Sequence, residues 1–128
     1  MSGLRRPSFP PSAPPASLAT LAALDREQAA VFYANDQGRP IGERWFASQR
    51  TDGVSISIRA IVVDALALDA RTVVLAHNHP SGVLEPSIRD LRLTRTLFAT
   101  LQAIGIRLHD HFIVSGAGWM SFRDAGLL

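Results

Sequence analysis

The stretch TVVLAHNHPSG, Thr72 to Gly82, runs from an unbroken apolar segment into two histidines and a turn. Thr72 to Ala76 is short, rich in β-branched residues and continuously apolar, the pattern of a strand covered on both faces at the centre of a sheet. His77 then falls at the end of that strand. Side chains two positions apart on a strand project the same way, with Cα atoms about 6–7 Å apart, so His77 and His79 turn both imidazoles toward one point. Pro80, Ser81 and Gly82 break the strand, and the loop they open can return the next helix to that point.

The flanks complete an α/β order. Leu93, Leu97, Leu101 and Ile104 predict a helix from Ser87 to Ile104, with Gly105 placed for its C-terminal cap. Ile58, Ile61, Val62, Ala65, Leu66 and Leu68 recur at helical spacing after Ser57, a suitable N-cap. Upstream, Glu27 to Asn35 predicts a strand closed by the turn Asn-Asp-Gln-Gly, Pro40 to Ser48 pairs back, and Val54 to Ser57 (VSIS) alternates like a third strand. Leu18, Leu21 and Leu24 suit a short helix over Ala16 to Asp25. Two further strands, Ile106 to Ser115 and Trp119 to Phe122, close the chain. This order predicts a single domain over residues 18–128, a mixed β-sheet flanked by helices in an α/β sandwich. Residues 1–17 hold five of the eight prolines and too little apolar surface to offset their ordering entropy, which predicts a flexible tail.

Composition narrows the chemistry. A chain of 128 residues with 47% hydrophobic content is about one soluble domain. No apolar run approaches the roughly eighteen residues that span a bilayer, and the N-terminus lacks a secretory apolar core, so the expectation is a cytoplasmic protein without membrane association. The absence of cysteine excludes disulfides, thiolate metal ligands and a cysteine nucleophile. All thirteen basic residues are arginine, which excludes Schiff-base and lysine-base mechanisms. The sequence pI near 10.4 reflects arginine's pKa rather than net charge, which is only +2. Catalysis must therefore run on His, Asp, Glu, Ser or a metal.

Asp90 would lie in the first turn of the helix that follows the two histidines. Two imidazoles, one carboxylate and a water make up an open zinc site, so His77, His79 and Asp90 are the candidate metal ligands. Each piece also has an ordinary explanation. An H-x-H pair can simply make local hydrogen bonds, and Ser87 with Asp90 forms a capping box. The two roles of Asp90 are compatible, since a helix N-terminus favours a carboxylate in either. The three glutamates, Glu27, Glu43 and Glu85, are the candidate general bases. Glu85 sits beside Pro86 in a loop that suits a solvated side chain, and Glu43 lies in the second strand.

His77-Asn78-His79-Pro80-Ser81-Gly82 followed by Ser87 and Asp90 resembles the signature of RadC-type JAB domains, within the wider JAMM or MPN metallopeptidase superfamily. LDREQAAVFYANDQGRPI is similar to that family's opening strand and hairpin, and GIRLHDHFIVSG with WMSFRDAG to its closing strands. The resemblance covers roughly Leu18 to Leu128, the catalytic half of many such chains, and fits only loosely at Ala47 to Val54. It implies a cytidine-deaminase-like sandwich and one Zn2+ per chain, held by His77, His79 and Asp90. It further implies that Glu27 is the general base and that Ser87 donates to the oxyanion. The implied activity is hydrolysis of a peptide or isopeptide bond, on a peptide, protein or ubiquitin-like conjugate. Asp110 and His111 belong to the family's strand pattern, and His111 is expected behind the ligands rather than as a fourth one.

Three other readings compete. A facial-triad iron oxygenase also uses two histidines and a carboxylate, but usually with the carboxylate between them. A nucleic-acid-binding module would use the row Arg89, Arg92 and Arg95, a weak phosphate track more often explained as a solvated helix face. A scaffold without catalysis would not need the complete set His77, His79, Ser87 and Asp90. A homodimer through an exposed sheet edge is also open.

Overall fold

The computed structural model describes residues 18–50 and 53–128, and the expected tail, 1–17, lies outside them. Helix α1 (Leu18–Ala22) precedes strands β1 (Gln28–Ala34), β2 (Pro40–Arg50) and β3 (Gly53–Val54). Helix α2 (Ile58–Ala67), strand β4 (Thr72–Asn78), helix α3 (Ile88–Ala103) and strands β5 (Arg107–Ser115) and β6 (Gly118–Ser121) follow. The strands make one sheet in the order β3-β2-β1-β4-β5-β6. Neighbours pair antiparallel except β4 with β5, which run parallel across the α3 connection. The expected mixed α/β sandwich is therefore the observed architecture.

Strand alternation assigns the two faces. Ala29, Val31 and Tyr33 of β1 and Val73 and Leu75 of β4 join Ile61 and Ala65 of α2 and Leu97 and Leu101 of α3 in one apolar cluster. Their neighbours in register, Ala30, Val74 and Ala76, join Phe112 and Val114 of β5 and Leu18 and Leu21 of α1 in a second. The sheet is thus a middle layer, and every residue of β4 is buried, as a strand covered on both faces requires. Truncating a buried leucine such as Leu101 to Ala would cost about 2–5 kcal/mol through lost transfer energy and the cavity left behind.

The ends of the elements follow local chemistry. The Ser57 hydroxyl accepts from the Ala60 amide at 3.0 Å, so Ser57 caps α2. That is why the expected third strand shrinks: only Gly53 and Val54 pair with β2, and residues 55–57 leave the sheet to start the helix. Strand β4 runs two residues past Ala76, which puts His77 inside the sheet rather than at its end. Gly82, at φ +87°, takes the left-handed conformation that turns the chain back, with its amide donating to the His79 carbonyl at 3.0 Å.

One irregularity positions the site. The β4–β5 register pairs Val73 with Leu108 but Val74 with Asp110, so His109 is an extra residue. Past it, His111 shares the face of Leu75 and His77, while Asp110 and Phe112 share the opposite one. Buried Asp110 then serves the fold, accepting from the Ser121 hydroxyl and from the amides of His111 at 2.7 Å and Arg123 at 3.1 Å. Among the described residues, no helix is long and apolar enough to cross a membrane.

Candidate metal centre

Strand β4 delivers His77, 2% exposed, and the chain just beyond it delivers His79, whose amide donates to the Val114 carbonyl at 2.9 Å and so continues the pairing with β5. The two Nε2 atoms lie 2.9 Å apart. The loop 80–87 returns α3 to the same point, where Asp90 places Oδ1 at 3.2 Å from His77 Nε2 and Oδ2 at 3.3 Å from His79 Nε2. Asp90 is also the capping-box residue: its Oδ2 accepts from the Ser87 amide at 2.8 Å, and the Ser87 Oγ accepts from the Asp90 amide at 3.0 Å. The capping box and the approach to both imidazoles thus coexist in one conformation.

The charges are arranged by these contacts. Burial alone would raise the Asp90 pKa, but His77 and His79, when protonated, and the Ser87 amide outweigh it and hold the carboxyl far below the usual range. Hydrogen bonding to Asp90 raises the His79 pKa against its own partial burial. His79 Nδ1 sits 2.7 Å from the Val83 carbonyl, an acceptor only, so the ring carries a proton on Nδ1. Neutral His79 therefore presents a bare Nε2 to His77 and Asp90.

Glu27 precedes β1 rather than opening it, and its carboxylate groups with His77 and His79 so that one donor atom from each lies within 4.8 Å of the others. These three residues can hold a metal ion. Asn78, between the two histidines, fixes the chain on both sides of Glu27. Its Oδ1 accepts from the Gln28 amide at 2.6 Å and its Nδ2 donates to the Arg26 carbonyl at 2.8 Å. The same residue's side chain points away from the imidazoles because it alternates with them along the strand. Glu43 is turned elsewhere, bonded to the Trp45 indole at 2.7 Å, and Glu85 is exposed in the loop.

A cleft of about 600 Å³ opens over Glu27, His77, His79, Ser87 and Asp90. Ile56, Ile58 and Leu93 supply its apolar wall. Arg89 and Arg92, exposed as a solvated face requires and three residues apart on α3, also line it. His111 is fully buried and reaches His77 from behind, with His111 Nε2 2.7 Å from His77 Nδ1. Its other nitrogen lies 2.6 Å from the Thr94 hydroxyl, a residue that sequence patterning assigned no role.

Known proteins share much of this sequence. The chain is 41% identical over 108 residues to a UPF0758 protein of Acidithiobacillus ferrooxidans, covering 84% of this chain and 48% of that one. It is 40% identical over 108 residues to UPF0758 protein YkfG of Escherichia coli K12, covering 84% and 68% respectively. A UPF0758 protein of Thiobacillus denitrificans is 47% identical over 97 residues, 75% of this chain and 43% of its own length. The chain thus spans from under half to about two thirds of the length of these relatives. The RadC-like JAB domain profile matches residues 12–127, a span that holds every residue of the candidate centre, and the chain belongs to the RadC-like JAB domain family.

Proposed function

We propose that this domain is a zinc-dependent hydrolase of amide bonds, peptide or isopeptide, that uses a metal-activated water. The observation that carries the reading is the convergence of His77, His79 and Asp90: the two Nε2 atoms lie 2.9 Å apart, and separate Asp90 oxygens reach them at 3.2 and 3.3 Å. Ligands about 2.0–2.1 Å from a tetrahedral zinc lie about 3.3–3.4 Å from one another, so the side chains stand close to the spacing that ion demands. Electron-rich atoms at such distances repel unless a cation lies among them, and the donor set of two imidazoles and a carboxylate leaves a fourth position open. A bound zinc would lower the pKa of a coordinated water toward neutrality and polarise the scissile carbonyl.

The remaining steps belong to the side chains. Glu27 accepts a proton from the attacking water and returns it to the leaving amine, a role that suits a half-buried carboxylate beside both histidines. Asn78 keeps Glu27 in reach by bonding the backbone on either side of it. The Ser87 Oγ already accepts from the Asp90 amide, so its own proton is available for the oxyanion. The apolar wall of Ile56, Ile58 and Leu93 suits an aliphatic residue next to the bond, and Arg89 and Arg92 favour a substrate with an acidic group nearby.

The test is cleavage of a mixed peptide and isopeptide library, including ubiquitin-like conjugates. The expected result is metal-dependent cleavage stopped by chelator and eliminated in Asp90→Ala, with nucleic acid bound no tighter than about 10⁻⁴ to 10⁻⁶ M at physiological salt. A nanomolar, salt-sensitive DNA complex that persists after chelation would replace this reading with the nucleic-acid one.

A further inference from the structure

We infer that Thr94 and His111 form a one-way hydrogen-bond relay that locks His77 in the tautomer a metal ligand needs; this rests on the proposed metal centre and concerns how the fold prepares it. The relay can be read by counting protons. Thr94 lies one helical turn after Asp90 on α3, and its Oγ1 is 2.8 Å from the Asp90 carbonyl. A carbonyl only accepts, so the single hydroxyl proton of Thr94 is spent there. The Thr94 oxygen must then accept at its second contact, 2.6 Å from His111 Nδ1, which places a proton on that nitrogen.

His111 is 0% exposed, and an imidazole buried beside two others stays neutral, with one N–H. That N–H is the one given to Thr94, so His111 Nε2 is bare. His77 Nδ1, 2.7 Å away, must donate to it. His77 therefore carries a hydrogen at Nδ1, which leaves Nε2, facing His79 and Asp90, as the nitrogen for a metal.

The relay also ties the ligands to one another. It runs from His77 through His111 and Thr94 to the main chain of Asp90, whose carboxylate returns to His77 at 3.2 Å. A ligand on β4 and a ligand on α3 are thus joined through β5. Phe122 holds the His111 ring in plane, stacked with centroids 4.2 Å apart and 15° between planes. The extra residue at His109 is what turns His111, rather than Asp110, toward His77. His79 receives the same tautomer more simply, from the Val83 carbonyl. The two histidines are prepared by different means, one local in sequence and one spanning three elements.

The test uses the full chain with ¹⁵N-labelled histidine, treated with chelator, and long-range ¹H–¹⁵N spectra that report which ring nitrogen bears hydrogen. The expected spectrum has hydrogen on Nδ1 of both His77 and His111. Thr94→Val keeps the shape but cannot accept from His111, so the Nδ1 tautomers should be lost and zinc affinity, read by competition with a fluorescent chelator, should fall about 10-fold or more. Thr94→Ser should keep both. His77 without hydrogen at Nδ1 in the wild type, or Thr94→Val behaving like Thr94→Ser, would overturn the relay. The wild-type spectrum decides even if Thr94→Val fails to fold. A wild-type protein that shows the Nδ1 tautomers yet takes up no zinc would leave the relay supported and remove the proposed function.

Discussion

Two aspartates, each at the meeting of a helix and the sheet, make opposite kinds of site. Asp64 of α2 accepts the Tyr33 hydroxyl at 2.9 Å and Arg44 Nη2 at 2.8 Å, with Arg44 Nε on the same carboxylate. Every partner of that carboxylate brings its own proton. Asp90 of α3 instead faces the Nε2 atoms of two imidazoles, of which His79 has committed its proton to the Val83 carbonyl. The Asp64 cluster is complete as an ion pair, whereas the Asp90 cluster gains its missing positive charge from a proton or a metal. A carboxylate's function is thus legible in where its partners keep their hydrogens.

The largest effect should come from removing a member of the second cluster. Asp90→Ala is expected to lose both metal and cleavage, while Asp64→Asn keeps both and loses only a little in thermal midpoint, because the half-exposed Arg44 leaves the pair open to solvent screening. Inductively coupled plasma analysis with a cleavage assay would separate them, and equal metal loss in the two variants would erase the contrast. Next in size, Glu27→Gln should retain stoichiometric metal and the folded midpoint but lose cleavage, on the order of a hundred-fold or more for a lost proton shuttle. If Glu43→Gln were the inactive variant instead, the base would be misassigned.

A smaller effect is expected at Asn78. Asn78→Ala frees the Arg26 carbonyl and the Gln28 amide, so kcat should fall by less than in Glu27→Gln while zinc affinity holds. Equal loss in the two variants would show that Asn78 does more than position the base.

The smallest effect concerns pH. Burial, with help from the Arg107 and Arg123 charges, lowers the His109 pKa to about 4. A depressed histidine binds more protons unfolded, so its contribution is present above its ordinary value of 6.5 and is lost as pH falls from there toward about 4. Asp64, lowered by its Arg44 hydrogen bond against the cost of burial, acts in a more acidic window. Its contribution is present above the ordinary carboxylate value and fades as pH falls below it. Denaturant titrations across pH should show His109→Phe flattening the first slope and Asp64→Asn the second, and a single slope unaffected by either would refute both assignments.

Much of the site could be anticipated because its parts are local. Strand alternation put His77 and His79 on one side, and the Ser87–Asp90 spacing described a capping box that is present in the structure. Glu27 was singled out among three glutamates by family resemblance, and it is the one beside the histidines. Other features depend on long-range register that no local pattern carries. Thr94 meets His111 only because β5 has an extra residue, and Asn78 reaches Arg26 and Gln28 across the β1–β4 pairing. The segment VSIS misled for a different reason: its alternation is genuine, but Ser57 serves the helix that follows.

Metal content tests the proposed centre most directly. Purified full chain should carry close to one equivalent of zinc, and the His77→Ala, His79→Ala double variant, folded by circular dichroism, should carry none. Stoichiometric zinc in the folded double variant, or a wild-type protein that takes up no zinc on titration, would contradict it.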